Sequence, residues 1–518
     1  MGGAGKRCQV EKPSSFKAKP VSPKTCRYRN CCPTGDAFAG RLHALFLSFP
    51  FVLPAKHYPD DDASLNEGSI MVLRFFSSLS ALLLLLLSPV FSAGAQSPVP
   101  YNQATVETLY PFPLTMDAAL ISFDWDATGA LHYTVGDPNW GTKLEVYKLN
   151  GSVPQQIFAS SSVWAGSRLT RLGAYMFFND GGDFVRSDFN YYGYSASGSE
   201  PVFPLLEAPF EASLWGLETR NEGEFFASGS ATTWRPGALF YGQMDGAGAF
   251  SARPLVQFGE VGNSPGPLCF DAQGTLYYVP GYAFAGGASI FRWTAEEVAD
   301  ALADPVTKSL APDNHLWNTL PAPYDGATGM ACDSNGNVYV TATAWGSPSQ
   351  FLLFNASDAS PILVADYAGR LETLRYRDNS LAVSCASGIF SIPLLRVESG
   401  TPSQVITGKV GETAVLSVQT RGGIGERHYQ WFERSQNKAD IVLGDDLSFL
   451  ALPIEEESGD RAFYCQVSDA TGTVTSELFT LVVEKSVPAY TVYGLAVAVL
   501  LILAAGWILL QRQLLCGR

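Results

Sequence analysis

The residues of this chain that could do chemistry are few and stand apart from one another. Beyond residue 95 the only histidines are His132, His315 and His428. His132 and His428 have no readable base or nucleophile beside them, which favours structural or solvent-facing roles, whereas His315 lies in a predicted loop where binding stays open. The chain has no His-Glu-x-x-His motif and no P-loop. No catalytic residue is therefore predicted.

One acidic segment has a composition similar to that of a calcium-binding loop. Asp333–Asn337 contains aspartate, asparagine and glycine, but Ala344 stands where the twelfth-position glutamate of such a loop is needed. Gly336 also comes too early for that loop. We therefore interpret this segment as a turn between two strands.

The same strand–turn–strand pattern recurs from about Asp117 to Leu395. In its clearest copies Asp126, Asp271 or Asp333 is followed three residues later by glycine, between strands rich in Tyr, Val and Leu. Aspartate accepts backbone N–H bonds two residues on and glycine adopts positive φ, so each copy predicts a hairpin. Three weaker copies keep the rhythm without the aspartate, at Leu169–Phe178, Leu214–Ala227 and Leu371–Cys385.

These six units predict the fold of residues 96–396. Six units in about 280 residues give a period of about 46, which is typical of a β-propeller with four-stranded blades. A parallel β-helix would have a shorter period, and a TIM barrel would need eight helical stretches. One helix is predicted, at Thr294–Ala303, where Thr294 and Glu297 form a capping box. The predicted fold class is all-β, with a six-bladed β-propeller as its largest domain.

The repeated turn resembles that of six-bladed propellers of the NHL and gluconolactonase-like kind. Propellers of the gluconolactonase-like kind hold a divalent ion on the central axis with Glu, Asn and Asp side chains from inner strands. The resemblance implies Asp124, Glu218 and Asp325 as candidate ligands, although their spacing matches no motif of that family. No cofactor is evident from the residues themselves, and the identity of a bound metal is unknown.

Tryptophans in predicted loops are the candidate binding residues. They belong to Trp-Gly and Trp-Arg-Pro segments that would line the mouth of a propeller, where exposed aromatic rings suit a glycan or protein ligand. The alternative is that they pack between blades. The four candidates are Trp140, Trp215, Trp234 and Trp345.

Residues 397–484 have the length and pattern of an immunoglobulin-like domain. Gly411–Val418 alternates as strand B does, Trp431 takes the place of the strand-C tryptophan, and Cys465 that of the strand-F cysteine. The segment resembles this family but has Val418 where the first cysteine is expected and Phe463 where the corner tyrosine is expected. The inter-sheet disulfide is therefore absent, and we expect Trp431 to pack against Val418 and Cys465.

The C-terminal region, residues 487–511, contains an apolar segment. Val492–Leu510 has no charged residue, and 19 residues at about 1.5 Å each nearly cross a hydrocarbon core of about 30 Å. Tyr493 and Trp507 lie near its ends, as interfacial aromatic residues do. Arg512 and Arg518 in the segment 512–518 predict a cytoplasmic C-terminus.

The start of this region resembles a bacterial sorting signal. Pro488, Thr491 and Gly494 match, in type and spacing, the opening of IPTL-CTERM tails, and Val487 and Tyr493 are conservative replacements. The resemblance implies recognition by an exosortase-type enzyme and cleavage near the proline. A plain type I membrane anchor is the alternative.

Residues 71–95 have the pattern of a secretory signal peptide. A basic start at Met71 is followed by the leucine-rich Phe75–Leu87 and by Ala93-Gly94-Ala95, a small-x-small cleavage pattern. Residues 1–70 are interpreted as a mis-assigned upstream or disordered segment. An uncleaved signal anchor with a basic cytoplasmic arm is the alternative.

Charge and cysteine content agree with export. Residues 71–518 contain 24 basic and 43 acidic residues, which argues against a nucleic-acid partner. The four cysteines between signal and tail are too few for a disulfide framework. A Cys269–Cys332 or Cys332–Cys385 bridge and buried free thiols all remain open.

These predictions together describe an exported bacterial protein, anchored with its ectodomain outside the cytoplasmic membrane. Recognition or adhesion at the cell surface, by a propeller carried on an immunoglobulin-like stalk, is the predicted function. A metal-dependent hydrolase or lactonase is the alternative, and a structural component of an exopolysaccharide matrix is a third. The expected partners are a glycan or protein ligand, the membrane and an exosortase-type enzyme.

Overall fold

The computed structural model describes residues 97–139, 141–180, 191–197, 202–204, 213–230, 237–244, 250–257, 263–283, 287–304, 308, 310–344, 348–358, 360–435, 438–455, 460–484 and 489–515. All of them belong to one compact unit, Val90–Arg518. The predicted signal peptide and residues 1–70 lie outside the described residues.

Six antiparallel sheets follow two short N-terminal strands, β1 (Val99–Pro100) and β2 (Glu107–Pro111). Sheet 1 contains β3 (Ala119–Trp125), β4 (Leu131–Gly136), β5 (Leu144–Asn150) and β6 (Val153–Ser160). Sheet 2 contains β7 (Ala165–Leu172), β8 (Tyr175–Asp180), β9 (Tyr191–Ser195) and β10 (Phe203–Pro204). Sheet 3 contains β11 (Ser213–Asn221), β12 (Glu224–Ser230), β13 (Gly237–Met244) and β14 (Phe250–Gln257).

Sheets 4 to 6 include strands from outside the regular order: a small separate ladder lies beside sheet 4, and the two N-terminal strands pair with sheets 5 and 6. Sheet 4 contains β16 (Leu268–Phe270), β17 (Leu276–Tyr278), β19 (Ser289–Trp293) and β20 (Leu316–Thr319), beside a small ladder of β15 (Asn263–Ser264) and β18 (Tyr282–Ala283). Sheet 5 contains β21 (Gly326–Cys332), β22 (Val338–Thr343), β23 (Ser349–Phe354) and β24 (Pro361–Tyr367), with β1 paired to β24. Sheet 6 contains β25 (Leu371–Arg377), β26 (Ser380–Cys385) and β27 (Gly388–Pro393), and its fourth strand is β2.

The first strands of the six sheets form a closed ring. Each first strand contacts the first strand of the next sheet, in the order β3, β7, β11, β16, β21 and β25, and β25 contacts β3 again. The N-terminal strand β2 pairs with β27, so the sixth sheet is completed by the start of the ring. Polar side chains on the first strands are thereby brought towards a common axis.

The three aspartate-containing turns form as predicted. The Oδ1 atom of Asp126 accepts the backbone N–H groups of Thr128 and Ala130, both at 2.9 Å. Asp271 and Asp333 each accept the corresponding pair of N–H groups. The glycines that follow have φ between +81° and +86°, a region that favours residues without a Cβ. The acidic segment at Asp333 is therefore confirmed as a turn, between β21 and β22.

Apolar side chains between neighbouring sheets form the core. One cluster lies between sheets 4 and 5, where a disulfide joins Cys269 of β16 to Cys332 of β21. The alternative Cys332–Cys385 bridge is wrong, since Cys385 is a buried free thiol. The predicted helix is α1 (Ala295–Ala303), and its capping box of Thr294 and Glu297 is confirmed.

After sheet 6 the chain forms a two-sheet sandwich, which we call the sandwich domain. One sheet contains β28 (Arg396–Ser399), β30 (Thr413–Arg421) and β33 (Phe449–Pro453). The other contains β29 (Val405–Lys409), β36 (Phe479–Glu484), β34 (Arg461–Asp469), β31 (His428–Glu433) and β32 (Ile441–Leu443), with β35 (Gly472–Thr475) paired to β34. Strands β29 and β36 pair in parallel, and the other pairs are antiparallel.

The predicted contact at the centre of the sandwich domain is confirmed. Trp431 and Cys465 are fully buried opposite each other on β31 and β34, in one core cluster with Val418. Cys465 is a free thiol. The hydroxyl of Tyr464 bonds Asp440 at 2.7 Å on the surface, so it does not replace the corner tyrosine.

Helix α2 (Ala489–Leu515) follows the sandwich domain. Within it, Tyr493–Gln513 is the one segment of the described residues that is long and apolar enough to cross a membrane. At about 1.5 Å per residue its 21 residues span about 31 Å, which matches a hydrocarbon core. Thr491, Tyr493 and Gly494 of the predicted sorting motif lie in this helix, whereas Val487 and Pro488 lie outside the described residues.

Candidate functional site on the axis of the six sheets

A repeated irregularity shapes the first strands around the axis. In sheets 1, 2, 3, 5 and 6 the register between the first and second strand shifts at a bulge. In four of these sheets a backbone N–H at the bulge donates to a polar side chain of the second strand, at 2.9 to 3.1 Å. The pairs are Ser122–Thr134, Arg168–Asn179, Gly216–Ser228 and Thr373–Ser384.

The same side chains also connect neighbouring sheets. The hydroxyl of Ser384 donates to the carbonyl of Ile121 at 2.9 Å, and the hydroxyl of Thr341 donates to that of Glu372 at 3.3 Å. Ser122 accepts the N–H of Leu169 at 2.8 Å. These buried bonds fix the first strands relative to one another, because a buried polar group left unpaired would cost about 1–3 kcal/mol.

An arginine joins two carboxylates on the axis. Arg375 of β25 is only 8% exposed. Its Nε lies 3.3 Å from Asp124 Oδ2 and its Nη1 lies 3.4 Å from Glu218 Oε2. Its Nη2 donates to the carbonyl of Leu169 at 2.9 Å, so the guanidinium links sheets 1, 2, 3 and 6. Burial raises the pKa of Glu218, against the attraction of Arg375 and Arg168.

The three carboxylates implied as metal ligands do not form one site. The positive charge between Asp124 and Glu218 is the guanidinium of Arg375, which takes the position that a cation would need. Asp325 precedes β21, about six residues nearer the start of its strand than Asp124 is, which at about 3.3 Å per residue is roughly 20 Å along the axis. Among the described residues no group of three or more His, Cys, Asp or Glu side chains is placed to hold a metal ion. The set does not fit a divalent ion.

A cavity of about 70 Å³ lies near the starts of the first strands. Its lining includes Arg168 of sheet 2, Ser264 ahead of sheet 4, Thr328 of sheet 5 and Arg370 ahead of sheet 6. We call this end of the ring, marked by these four residues, the cavity end. The opposite end, where the first strands finish in turns such as that at Asp333, is the turn end.

Backbone groups form one wall of the cavity. A Cβ on Gly266 would lie 2.1 Å from the carbonyl oxygen of Val279 and 2.3 Å from the backbone nitrogen of Gly281. Only glycine fits where two chain segments approach so closely. The Glu372 carboxylate lies beside the cavity, 3.1 Å from Arg370 Nε. Burial raises the pKa of Glu372, although Arg370 and Arg168 oppose the shift.

The predicted tryptophan site is only partly within the described residues. Trp140, Trp234 and Trp345 lie outside them, in the chain segments that join the second and third strands of sheets 1, 3 and 5. Trp215 lies near the start of β11, and its side chain is outside the described part. Binding through these four residues stays a prediction.

His132 belongs to a buried polar network away from the axis. Its Nε2 lies 3.2 Å from Asp126 Oδ2 and its Nδ1 lies 2.8 Å from the Tyr194 hydroxyl. Lys148 Nζ donates to the same Asp126 oxygen at 3.1 Å. Burial lowers the pKa of His132, against the attraction of Asp126, so the imidazole is neutral at pH 7. The network connects sheets 1 and 2 and is structural.

The other two histidines have surface partners. His315 Nε2 lies 3.0 Å from Glu297 Oε1, and its ring stacks on Trp293 with a centroid separation of 5.6 Å, so it fixes helix α1. His428 Nδ1 lies 2.8 Å from Asp446 Oδ2, and this hydrogen bond raises the pKa of His428. The residues that sequence reasoning missed are Arg168, Arg370 and Arg375, which only the ring closure brings together.

Comparisons with known proteins add structures of low similarity. No family model and no curated protein sequence matches the chain. A protein of unknown function from Bacteroides thetaiotaomicron is 8% identical, with 56% of this chain and 76% of that chain covered and a TM-score of 0.38. A catalytically inactive variant of virginiamycin B lyase from Staphylococcus aureus is 9% identical, with 56% and 100% covered and a TM-score of 0.34.

A third similar structure is the extracellular domain of a protein described as a hybrid two-component system from B. thetaiotaomicron. It is 9% identical, with 74% of this chain covered and a TM-score of 0.32. The present chain spans 58% of the length of that domain. At these scores none of the similarities assigns a function to this chain.

Proposed function

We propose that this chain is an exported, membrane-anchored recognition protein. In this proposal the six sheets are the blades of a six-bladed β-propeller, the sandwich domain is immunoglobulin-like, and helix α2 is the membrane anchor. The ligand is a glycan or a protein that binds at the cavity end. The closed order of first strands and the completion of sheet 6 by β2 support the propeller, because a ring of four-stranded blades has this connectivity.

The position of the sandwich domain is the observation that carries the proposal. Its β34–β35 turn accepts hydrogen bonds at the turn end, from Asn335 at 3.0 Å and Asn337 at 2.7 Å to the carbonyl of Thr471. Asn355, which follows the third strand of sheet 5 at the same end, donates to the carbonyl of Ala470. Since the sandwich domain precedes α2 in the chain, this attachment directs the cavity end away from the anchor.

The chain order supports a location of the predicted binding loops at that same end. In an antiparallel sheet the second strand ends where the first begins, so each connection between second and third strands leaves from the cavity end. The segments that contain Trp140, Trp234 and Trp345 are such connections. This supports a shared binding face, although the rings themselves lie outside the described residues.

The salt bridges on the axis favour recognition over metal-dependent hydrolysis. In the alternative, Asp124 and Glu218 would hold a divalent ion that polarises a lactone. Arg375 already lies within 3.4 Å of both carboxylates, and displacing it would leave a buried guanidinium without its partners, at a cost of several kcal/mol. We therefore place the metal-dependent hydrolase behind recognition.

The tail completes the proposal as a sorting signal. The motif Val487, Pro488, Thr491, Tyr493 and Gly494 would be recognised by an exosortase-type enzyme. Helix α2 begins at Ala489, directly after Pro488, and proline is typical of a helix start. An apolar helix that begins within such a motif supports both a sorting tail and a plain anchor.

The test is a binding and turnover experiment on the purified full-length chain in lipid nanodiscs. We expect retention of glycan or protein ligands on an array, with no hydrolysis of aldonolactones in the presence of calcium, zinc or manganese. Metal-dependent turnover that disappears in Glu218→Gln would replace the proposal by the hydrolase. Absence of any retained ligand, with the ring folded by circular dichroism, would contradict recognition.

A further inference from the structure

The cavity at the axis has a specific charge. The charged side chains of its lining are two arginines, Arg168 and Arg370, and they come from sheets 2 and 6. Thr328 and Ser264 add hydroxyl groups, and the Gly266 segment adds backbone. Guanidinium and hydroxyl donors that converge on one small space are the groups that bind carboxylate, sulfate or phosphate oxygens.

The two arginines differ in exposure. Arg168 is buried, with 3% of the residue exposed, and its backbone N–H donates to Asn179 Oδ1 at 3.1 Å, which positions the strand that carries it. Arg370 is half-exposed at the rim, with 43% of its side chain accessible. The cavity therefore has a buried inner guanidinium and an exposed outer one, which suits a group that enters from solvent.

One carboxylate partly balances the two arginines. Glu372 contacts Arg370 and attracts Arg168, but it does not belong to the cavity lining. Further along the axis, Asp124 and Glu218 are joined to Arg375. Among the described residues the charged groups of the lining are therefore cationic, and Arg168 is attracted by two nearby carboxylates, Glu372 and Glu218.

Size limits what can enter. A water molecule needs about 10–15 Å³ of such volume, and a cavity of about 150 Å³ accepts a benzene ring. The cavity of about 70 Å³ therefore holds a carboxylate or a sulfate group but not a sugar ring. A larger ligand would insert one charged substituent and keep its remaining atoms outside, at the cavity end.

We infer that Arg168 and Arg370 form a subsite for a carboxylate or sulfate substituent of an acidic ligand, of which acidic polysaccharides are the chemical class. This inference rests on the proposed recognition function and specifies its ligand. No bond is made or broken in the step; the substituent exchanges its water shell for two guanidinium groups, while the Thr328 hydroxyl stays bonded to the Leu371 carbonyl.

The test is calorimetric titration of the full-length chain in nanodiscs with three probes. These are an oligogalacturonate, the same oligosaccharide with its carboxyl groups methyl-esterified, and inorganic sulfate. We expect the acid to bind about tenfold or more tightly than the ester, because each charge-assisted bidentate contact contributes about 1.5–3 kcal/mol. Sulfate that competes with the acid supports the subsite; sulfate that binds while neither oligosaccharide does assigns it to free anions instead of glycans.

Two variants and one control separate binding from folding. Arg370→Gln should remove most of the preference for acid over ester, whereas Arg377→Gln, at the turn end of the same strand and 39% exposed, should leave it unchanged. Glu372→Gln should strengthen acid binding by about threefold to tenfold, because it removes the opposing charge. A gain of affinity cannot come from a damaged fold.

Equal binding of acid and ester, unaffected by Arg370→Gln, would overturn the subsite and leave recognition of neutral glycans standing. Weaker acid binding in Glu372→Gln, with unchanged thermal unfolding, would also overturn it. Failure of every array ligand to bind would reject the proposed function itself, so the two failures are distinguishable.

Discussion

Substitution of Arg375 tests whether its ion pairs on the axis stabilise the ring of six sheets. Arg375→Met keeps the length of the side chain but removes the charge that faces Asp124 and Glu218, together with the bond to the Leu169 carbonyl. Breaking a buried ion pair on one side costs about 3–5 kcal/mol. The side chains of Asp124 and Glu218 are 16% and 26% exposed, so solvent screens part of the interaction. We therefore expect a smaller loss of stability, about 2–3 kcal/mol.

The assay is thermal unfolding of the full-length chain in nanodiscs, followed by circular dichroism. At an unfolding entropy of about 2.1 cal/mol/K per residue, a loss of about 2–3 kcal/mol in a domain of about 300 residues corresponds to a midpoint lower by roughly 3–5 °C. Glu218→Gln added to Arg375→Met should restore part of the loss, because one uncompensated carboxylate is then removed. Arg377→Gln is the matched control, since Arg377 lies on the same strand with an exposed partner, Asp378.

The stability lost in Arg375→Met should depend on pH in a direction that follows from the pKa of Glu218. Burial already raises the pKa of Glu218, and removal of Arg375 raises it further. The folded variant then binds more protons than the unfolded chain, so its stability falls as pH rises from the ordinary glutamate range through the raised pKa. The deficit of Arg375→Met should therefore be larger at about pH 8 than at about pH 5. A midpoint equal to wild type, or no rescue by Glu218→Gln, would refute the ion-pair reasoning.

Three further outcomes are expected. Replacing both Cys269 and Cys332 by serine removes a disulfide between residues that are 63 positions apart. By loop entropy this disulfide contributes about 4 kcal/mol, so we expect a lower unfolding midpoint. An unchanged midpoint on reduction of the wild-type disulfide would contradict this. Ile424→Ala should destabilise the chain by about 2–5 kcal/mol because Ile424 is fully buried, whereas the exposed Ile441→Ala should have little effect in the same melts. Chelation by EDTA should leave the midpoint unchanged, because Arg375 balances the axial carboxylates; a stoichiometric axial calcium ion, found by elemental analysis and lost with stability, would argue against this.

Local features of the fold were predictable from the sequence. The turns at Asp126, Asp271 and Asp333 depend on contacts within five residues, so their residue types alone predict them. The helix at Ala295–Ala303 was predictable for the same reason, through its capping box. The pairing of Trp431 with Cys465 could be predicted only through a resemblance, since 34 residues separate them in the chain.

The axial site could not be predicted from local pattern. Arg375 and Glu218 are 157 residues apart, and Arg375 has no sequence neighbour that signals a partner on another sheet. The hydroxyl and amide side chains at the bulges, such as Thr134, Ser228 and Ser384, did leave a signal, because each follows its bulge by 11 or 12 residues. The three candidate metal ligands do not lie together, because a carboxylate on or beside an inner strand indicates the axis but not its depth along it.

The contacts between the sandwich domain and the turn end of the ring indicate that this domain is more than a spacer. A stalk that only carries a binding domain needs no packed contact with it, yet Ile424 of the sandwich domain is fully buried in the core cluster of sheets 5 and 6. The backbone N–H of Gly423 donates to the Pro393 carbonyl at 3.0 Å, and that of Gly425 donates to the Asn102 carbonyl at 2.6 Å. These contacts join apolar burial to directional bonds, so they fix an orientation as well as an attachment. These contacts attach the sandwich domain to the ring in one orientation, and in the proposed function a ligand at the cavity end would be held at a set angle to the domain that precedes helix α2.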